Sequence, residues 1–197
     1  MAFISNGTTI LDNGAFDVSL GNLVLLSEQT ASGSASIEFT TGIDSTYPIY
    51  KFEYINCHPS SASTLSFLGS TNGGSSYGVT KTSTSFYALH TENDATTSLS
   101  YNIFQDLAQS TSRQGLIGTL STDNDSSGSG DLYIFNPSSS TFVKHYIANA
   151  NGSNAQSVNS YTAGYFNSTS PINAIKFEMS TGNIDSGTIK LYGIKDS

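Results

Sequence analysis

From Ile172 to Ser197 the chain reads INAIKFEMSTGNIDSGTIKLYGIKDS, and its apolar residues fall on every second position: Ile175, Phe177 and Met179, then Ile189 and Leu191. A period of two belongs to an extended strand, so each run gathers its apolar side chains on one face. The polar stretch STGNIDSGT between the runs reads as the tip of a closing hairpin. The pattern recurs in YPIYKFEYINC, residues 47–57, which places Tyr50, Phe52 and Tyr54 on one face and Ile49, Lys51, Glu53 and Ile55 on the other. Elsewhere, breaks rich in Gly, Pro and Ser cut the chain into segments of roughly five to ten residues.

Those segments predict an antiparallel architecture. Residues 36–40, 47–57, 63–69 and 76–90 read as a meander, and 99–104, 116–120, 132–136, 142–147 and 160–166 as further strands. Only NIFQDLAQS, residues 102–110, has the pattern for a turn or two of helix. The expected fold is all-β: an antiparallel β-sandwich of jelly-roll type with about ten strands, both sheets burying aromatic faces. No repeat of 20–50 residues points to a solenoid or propeller. The sandwich is expected over residues 35–197. Residues 1–34, with the apolar cluster Leu23, Val24, Leu25 and Leu26 and a Gly/Ser-rich end, read as an N-terminal arm, a candidate anchoring segment, or as an extra strand.

Composition supports this reading and narrows the function classes. Ser and Thr make up roughly three residues in ten, which favours strands and turns over helix. Only 37% of residues are hydrophobic, but Tyr and Phe number 11 each, so a core of few, bulky side chains is expected. A formal net charge of -8 with seven Lys and Arg would repel a phosphate backbone, which argues against nucleic-acid binding. The single cysteine, Cys57, closes no intrachain disulfide. The first residues carry no basic-then-apolar leader, and no apolar window is long enough to cross a membrane, so synthesis in a cytoplasm without membrane insertion is expected.

Several constellations carry a chemical possibility, each beside a plainer account. In HTEND, His90, Glu92 and Asp94 sit at alternate positions and would share a face on an extended backbone, as metal ligands can; a polar strand end accounts for them as well. Asp123 to Asp131 has carboxylates at alternate positions and a Gly in the sixth, as in a calcium loop. The twelfth position, where a bidentate Glu belongs, is Ile134, so a solvated loop is the better account. Cys57 and His58 are adjacent and so face opposite ways on a strand. His58 and His145 read as rim or packing residues, His145 sharing a face with Val143 and Ile147. No G-x-S-x-G motif is present. No catalytic, cofactor-binding or metal-ligating residue is therefore assigned, no cofactor is expected, and the chain is read as non-enzymatic. Tyr77, Tyr87, Tyr161 and Tyr165, near loops, keep a carbohydrate site in view, although Trp, the strongest sugar platform, is absent.

Four stretches carry a resemblance to a known group of proteins. INAIKFEMSTGNIDSGTIKLYGIK, YPIYKFEYINCHPSSASTLSFLGSTNGGSSYG (47–78), SLSYNIFQDLAQS (98–110) and DLYIFNPSSSTFVKHY (131–146) are similar to small jelly-roll virion structural proteins of tailed phages, particularly those infecting cyanobacteria and other marine bacteria. They lie in order from about residue 35 onward, and the preceding segment is not matched. The resemblance implies a non-enzymatic protein on the virion exterior, described for such proteins as capsid decoration or as tail-fibre-like. Its partners would be other virion proteins, capsid or tail, with a host-surface glycan as a further possibility. The matched positions set turns and core, so no functional residue is carried over. A fibre needs a shaft repeat that this chain lacks. The expectation is therefore a capsid decoration or cement protein working as a homotrimer, the alternative being a tail-fibre or host-adhesion module.

Overall fold

The computed structural model describes residues 3–5, 8–12, 15–16 and 22–195. Strands β1 (Phe3–Ser5), β2 (Thr8–Asp12) and β3 (Ala15–Phe16) form a small antiparallel sheet of their own. The remaining strands are β4 (Leu23–Ser34), β5 (Ile37–Phe39), β6 (Ile49–Pro59), β7 (Leu65–Ser70), β8 (Lys81–Thr91), β9 (Thr97–Tyr101) and β10 (Leu107–Ser110). They continue as β11 (Gln114–Gly115), β12 (Gly128–Phe135), β13 (Lys144–Ser153), β14 (Gln156–Phe166), β15 (Ala174–Met179) and β16 (Ile184–Ile194). Every pairing is antiparallel, and no helix occurs among the described residues. A nine-stranded sheet runs β10-β8-β14-β13-β12-β6-β16-β4, with β9 beside β10 along β8; a four-stranded sheet, β11-β7-β15-β5, packs against it.

The five alternating residues of the closing stretch are all buried in the core, as their period requires. They do not, however, form a hairpin. β15 pairs with β7 and β5 in the small sheet, while β16 lies between β6 and β4 in the large one. The connection Ser180–Asn183 is an arch from sheet to sheet, and its backbone is bonded to the neighbouring β6–β7 connection. Ser180 donates to Thr64 O (2.9 Å), and Ser60 donates to Asn183 O (3.0 Å). Gly182 takes a left-handed φ of 73° in this arch, where its Cα lies against Ser60 and Ser61. β4 and β5 form a third such arch alongside, since β4 pairs with β16 and β5 with β15. Stacking arches rather than hairpins is what brings Phe177 of one sheet onto Phe52 of the other, with ring centroids 5.2 Å apart. The expected meander over 36–90 is likewise replaced by strands that alternate between sheets, β5 and β7 in the small one and β6 and β8 in the large one.

Strand boundaries differ most where the sequence is polar. β12, β13 and β14 extend through GSGD, NANGS and QSVNS, which lack an apolar alternation. Side-chain amides hold this region together across the ladder: Asn149 Nδ2 donates to Asn159 Oδ1 (3.1 Å), and Asn151 Nδ2 donates to Ser157 Oγ (2.9 Å). Gly130 lets Tyr54 pass close beneath the strand. The Tyr54 hydroxyl donates to Asp131 O (3.2 Å). In the other direction, 116–120 keeps only an isolated bridge, Ser63 to Leu120. The helical reading of 102–110 also fails. Asn102 closes one turn, and the chain resumes as β10 from Leu107 because Leu107 and Gln109 donate backbone bonds to Ser83 Oγ and Thr82 Oγ1 of β8. Leu23–Ser34, the second part of the segment read as arm or extra strand, is the edge strand β4 of the large sheet. The rest of that segment, beyond β1 to β3 and Asn22, lies outside the described residues. Among the described residues no helix is long and apolar enough to cross a membrane.

Candidate functional site

The turn between β9 and β10 builds one wall of a cleft of about 370 Å³ at the β11 edge of the small sheet. Asn102 mounts the turn. Its N–H donates to Ser85 O (2.8 Å), its carbonyl accepts Gln105 N–H (3.2 Å), and its Oδ1 accepts Phe104 N–H (3.2 Å). The turn thereby holds the Phe104 ring outward, 91% exposed, at the lip of the cleft. An apolar ring so far into water, on a backbone this well bonded, is positioned by the turn and not by its own burial.

Behind Phe104 a buried amide network fixes the floor. The Gln105 side chain lies over Gly115, where a Cβ would meet Gln105 Cδ at 2.8 Å, so a larger residue there would displace it. Gln105 Nε2 donates to Ile117 O (3.1 Å), Gln114 Nε2 donates to Gln105 O (2.6 Å), and the Tyr146 hydroxyl donates to Gln114 Oε1 (2.9 Å). Gln105 Oε1 is buried without a hydrogen-bond partner among the described residues. Opposite stands Arg113, the chain's one arginine. Its Nη1 donates to Met179 O (3.1 Å) and Ser180 O (2.8 Å), and its Nε lies 3.6 Å from Glu178 Oε1. The guanidinium is thus held in place while its side chain stays 43% exposed. Tyr87, Thr64, Ser66, Gly118 and Thr119 complete the lining. Such an arrangement of fixed planar donors, hydroxyls and one exposed ring suits binding of an amphipathic, hydroxyl-bearing ligand.

The other residues singled out in the sequence are placed as follows. The extended backbone that would align His90, Glu92 and Asp94 ends at Thr91. Asp94 takes a left-handed φ of 57° and turns back so that its Oδ1 meets His90 Nε2 at 2.9 Å. All three still line one open cavity of about 380 Å³, and Glu92 also borders a second, of about 220 Å³, with Asp123 and Asp125, a juxtaposition invisible in the sequence. Asp131 lies apart from that loop, on the outer sheet face, 2.8 Å from Lys51 Nζ. No group of three or more His, Cys, Asp or Glu side chains suited to a metal ion occurs among the described residues. Cys57 is buried, and loss of hydration pushes its thiol up to about 12. His58 faces away from it, its Nδ1 3.6 Å from Asp185 Oδ2. His145 and Ile147 do share a face, but it is the outer one, where His145 meets the Tyr165 ring edge-on at 6.0 Å.

Of the four tyrosines, Tyr87 alone lines the cleft. Tyr77 is tied down by donating to Glu38 Oε2 (3.0 Å), with Lys176 Nζ 5.0 Å over its ring. Tyr161 stacks on Phe86 at 4.9 Å and 12° on the outer face of the large sheet. The ladder sets Phe86 between Tyr101 and Tyr161, and Leu99 and Ile147 flank that row. All five are exposed, forming one apolar patch on an open sheet face.

No family model, curated protein or solved structure matches the chain.

Sequence reasoning missed two features. One is Arg113 with Phe104 and Gln105, which are 8 to 9 residues apart and whose only prior signal was the solitary arginine. The other lies on the inner sheet face, where Lys81 and Lys144 flank Phe166 as its cross-strand partners and both are fully buried. Lys81 Nζ donates to Val79 O (3.2 Å) and lies 5.9 Å from the Phe166 ring centroid, and Lys144 Nζ donates to Ser168 O (3.0 Å). Neither forms an ion pair among the described residues. Desolvation lowers both, Lys81 to about 8.

Proposed function

We propose that the protein is a non-enzymatic structural component on the exterior of a tailed-phage virion, a capsid decoration or cement protein that docks as a homotrimer through the outer face of its large sheet. The observation that carries this reading is the apolar patch of Phe86, Tyr161, Tyr101, Leu99 and Ile147 on a solvent-facing sheet. Exposed patches of this kind mark surfaces that meet a partner. The resemblance of the four stretches quoted above supplies the virion context, and a jelly-roll connectivity is the finer reading of strands that alternate between two sheets.

The test is antibody labelling of whole particles viewed by electron microscopy. Gold over the head supports the decoration role, and gold at the tail tip overturns it in favour of the adhesion role. Particles that carry no label and lack the protein overturn the virion reading altogether. The Arg113 cleft favours the second reading, a host-adhesion module of the same virion.

A further inference from the structure

We propose that the cleft between Phe104 and Arg113 binds an acidic sugar, a hexuronate unit of a longer polysaccharide, with its carboxylate on Arg113 and its apolar ring face on Phe104. This deepens the adhesion reading above, and its chemistry stands on the site alone.

Three observations converge on that ligand. In a protein of net charge -8, the one charged residue among the described lining is a cation, Arg113. Its guanidinium is already oriented by two carbonyls, so little side-chain freedom is lost when a carboxylate arrives. The nearest acid, Glu178, is shared: its Oε2 lies 2.9 Å from Lys176 Nζ, so Arg113 is only partly neutralised. The second observation is the ring. Phe104 presents an exposed apolar ring at the lip of the cleft on a hydrogen-bonded backbone, and a pyranose is amphipathic in the same sense, with C–H groups on one face and hydroxyls around the rim. The third is the rim chemistry. Thr64, Thr119, Tyr87 and Asn102 offer hydroxyl and amide groups that both donate and accept, as sugar hydroxyls do. The volume of about 370 Å³ lies within the range of small-molecule sites.

The acidic patch of Glu92, Asp123 and Asp125 offers no comparable case, since nothing beside the carboxylates themselves points to a ligand.

The test uses the full chain, labelled with ¹⁵N and titrated with oligomers of galacturonate and, as the neutral control, of galactose. Saturable shifts confined to the amides of the cleft, 64–66, 87, 102–105, 113–119 and 180, are expected with the acidic oligomer, with a Kd on the order of 1 mM and weakening as salt rises. Arg113→Gln is expected to lose about tenfold or more in affinity for the acidic oligomer. Phe104→Ala, whose ring is exposed and outside the core, should leave folding unchanged and weaken binding of both oligomers. Absence of saturable shifts, shifts mapping to the outer sheet face, or an Arg113→Gln protein that binds as tightly as the parent would each overturn the proposal. Particle labelling is independent of these results, so the sugar site and the virion assignment can fail separately.

Discussion

Lys81 is a charged group without access to water, and its consequence for stability can be worked through. Burial lowers its ammonium from the usual 10.5 to about 8. A difference of that size corresponds to about 3 kcal/mol by which the folded protein disfavours the charged form. The sign follows from proton counting. Below pH 8 the lysine is protonated in both folded and unfolded chains, and stability does not depend on its titration. Between about pH 8 and 10.5 the unfolded chain binds the extra proton, so stability rises with pH across this window. Replacing Lys81 by Met keeps the stem and removes the charge. It also removes the bond to Val79 O, which costs about 1 kcal/mol. At pH 7, therefore, Lys81→Met is expected to be more stable by about 2 kcal/mol, the gain should vanish at about pH 9.5, and it should reverse to a loss of about 1 kcal/mol by about pH 10.5. Urea unfolding of both proteins at pH 7, 8.5 and 10 measures it. Comparing the two cancels the ionisation of buried tyrosines such as Tyr54, whose hydroxyl burial holds well above its usual range. A gain equal at all three pH values, or a loss at pH 7, refutes the reasoning.

Two further outcomes are expected. Gly130→Ala would drive a methyl into Asn149 O and to within 2.8 Å of the Tyr54 ring, so the β12–β13 ladder must open. A loss of about 3 kcal/mol is expected by chemical denaturation, against less than 1 for Gly78→Ala, which has open space around it. Deleting residues 188–197 removes Ile189 and Leu191 from the core and the ladders to both β4 and β6. That loss rivals a typical total stability of about 5–15 kcal/mol, so calorimetry should find no cooperative transition in the truncated chain; a retained one counts against the assigned role of β16.

Alternation made much of the core legible. Tyr50, Phe52, Tyr54, Ile175, Phe177, Met179, Ile189 and Leu191 could all be placed inside because a period of two assigns faces without reference to partners. Partners are what it leaves open. The stretch 172–195 has the same pattern whether its two strands pair beside each other or face each other across a core, and what decides is the bonding of Ser180 and Asn183 to residues more than a hundred positions away. β13 and β14 run further than the apolar alternation because Asn149, Asn151 and Asn159 act as ladder residues there, against their usual preference for turns. The cleft was illegible for a related reason. Phe104 sits in a segment whose apolar spacing suggested a helix, and its role follows from Asn102 and Ser85 fixing a single turn.

The first and last strands of the sandwich, β4 and β16, lie side by side with Leu23 opposite Ile194, and just beyond them Lys195 N–H donates to Asn22 O at 2.9 Å. A force applied through the chain on either side of these strands therefore loads one hydrogen bond at a time, from the end of the ladder inward. It unzips the pair and does not shear it. The domain is expected to be mechanically soft when pulled along its own chain and stiff when gripped across its sheets. Any assembly that puts it under load must hold it by a face.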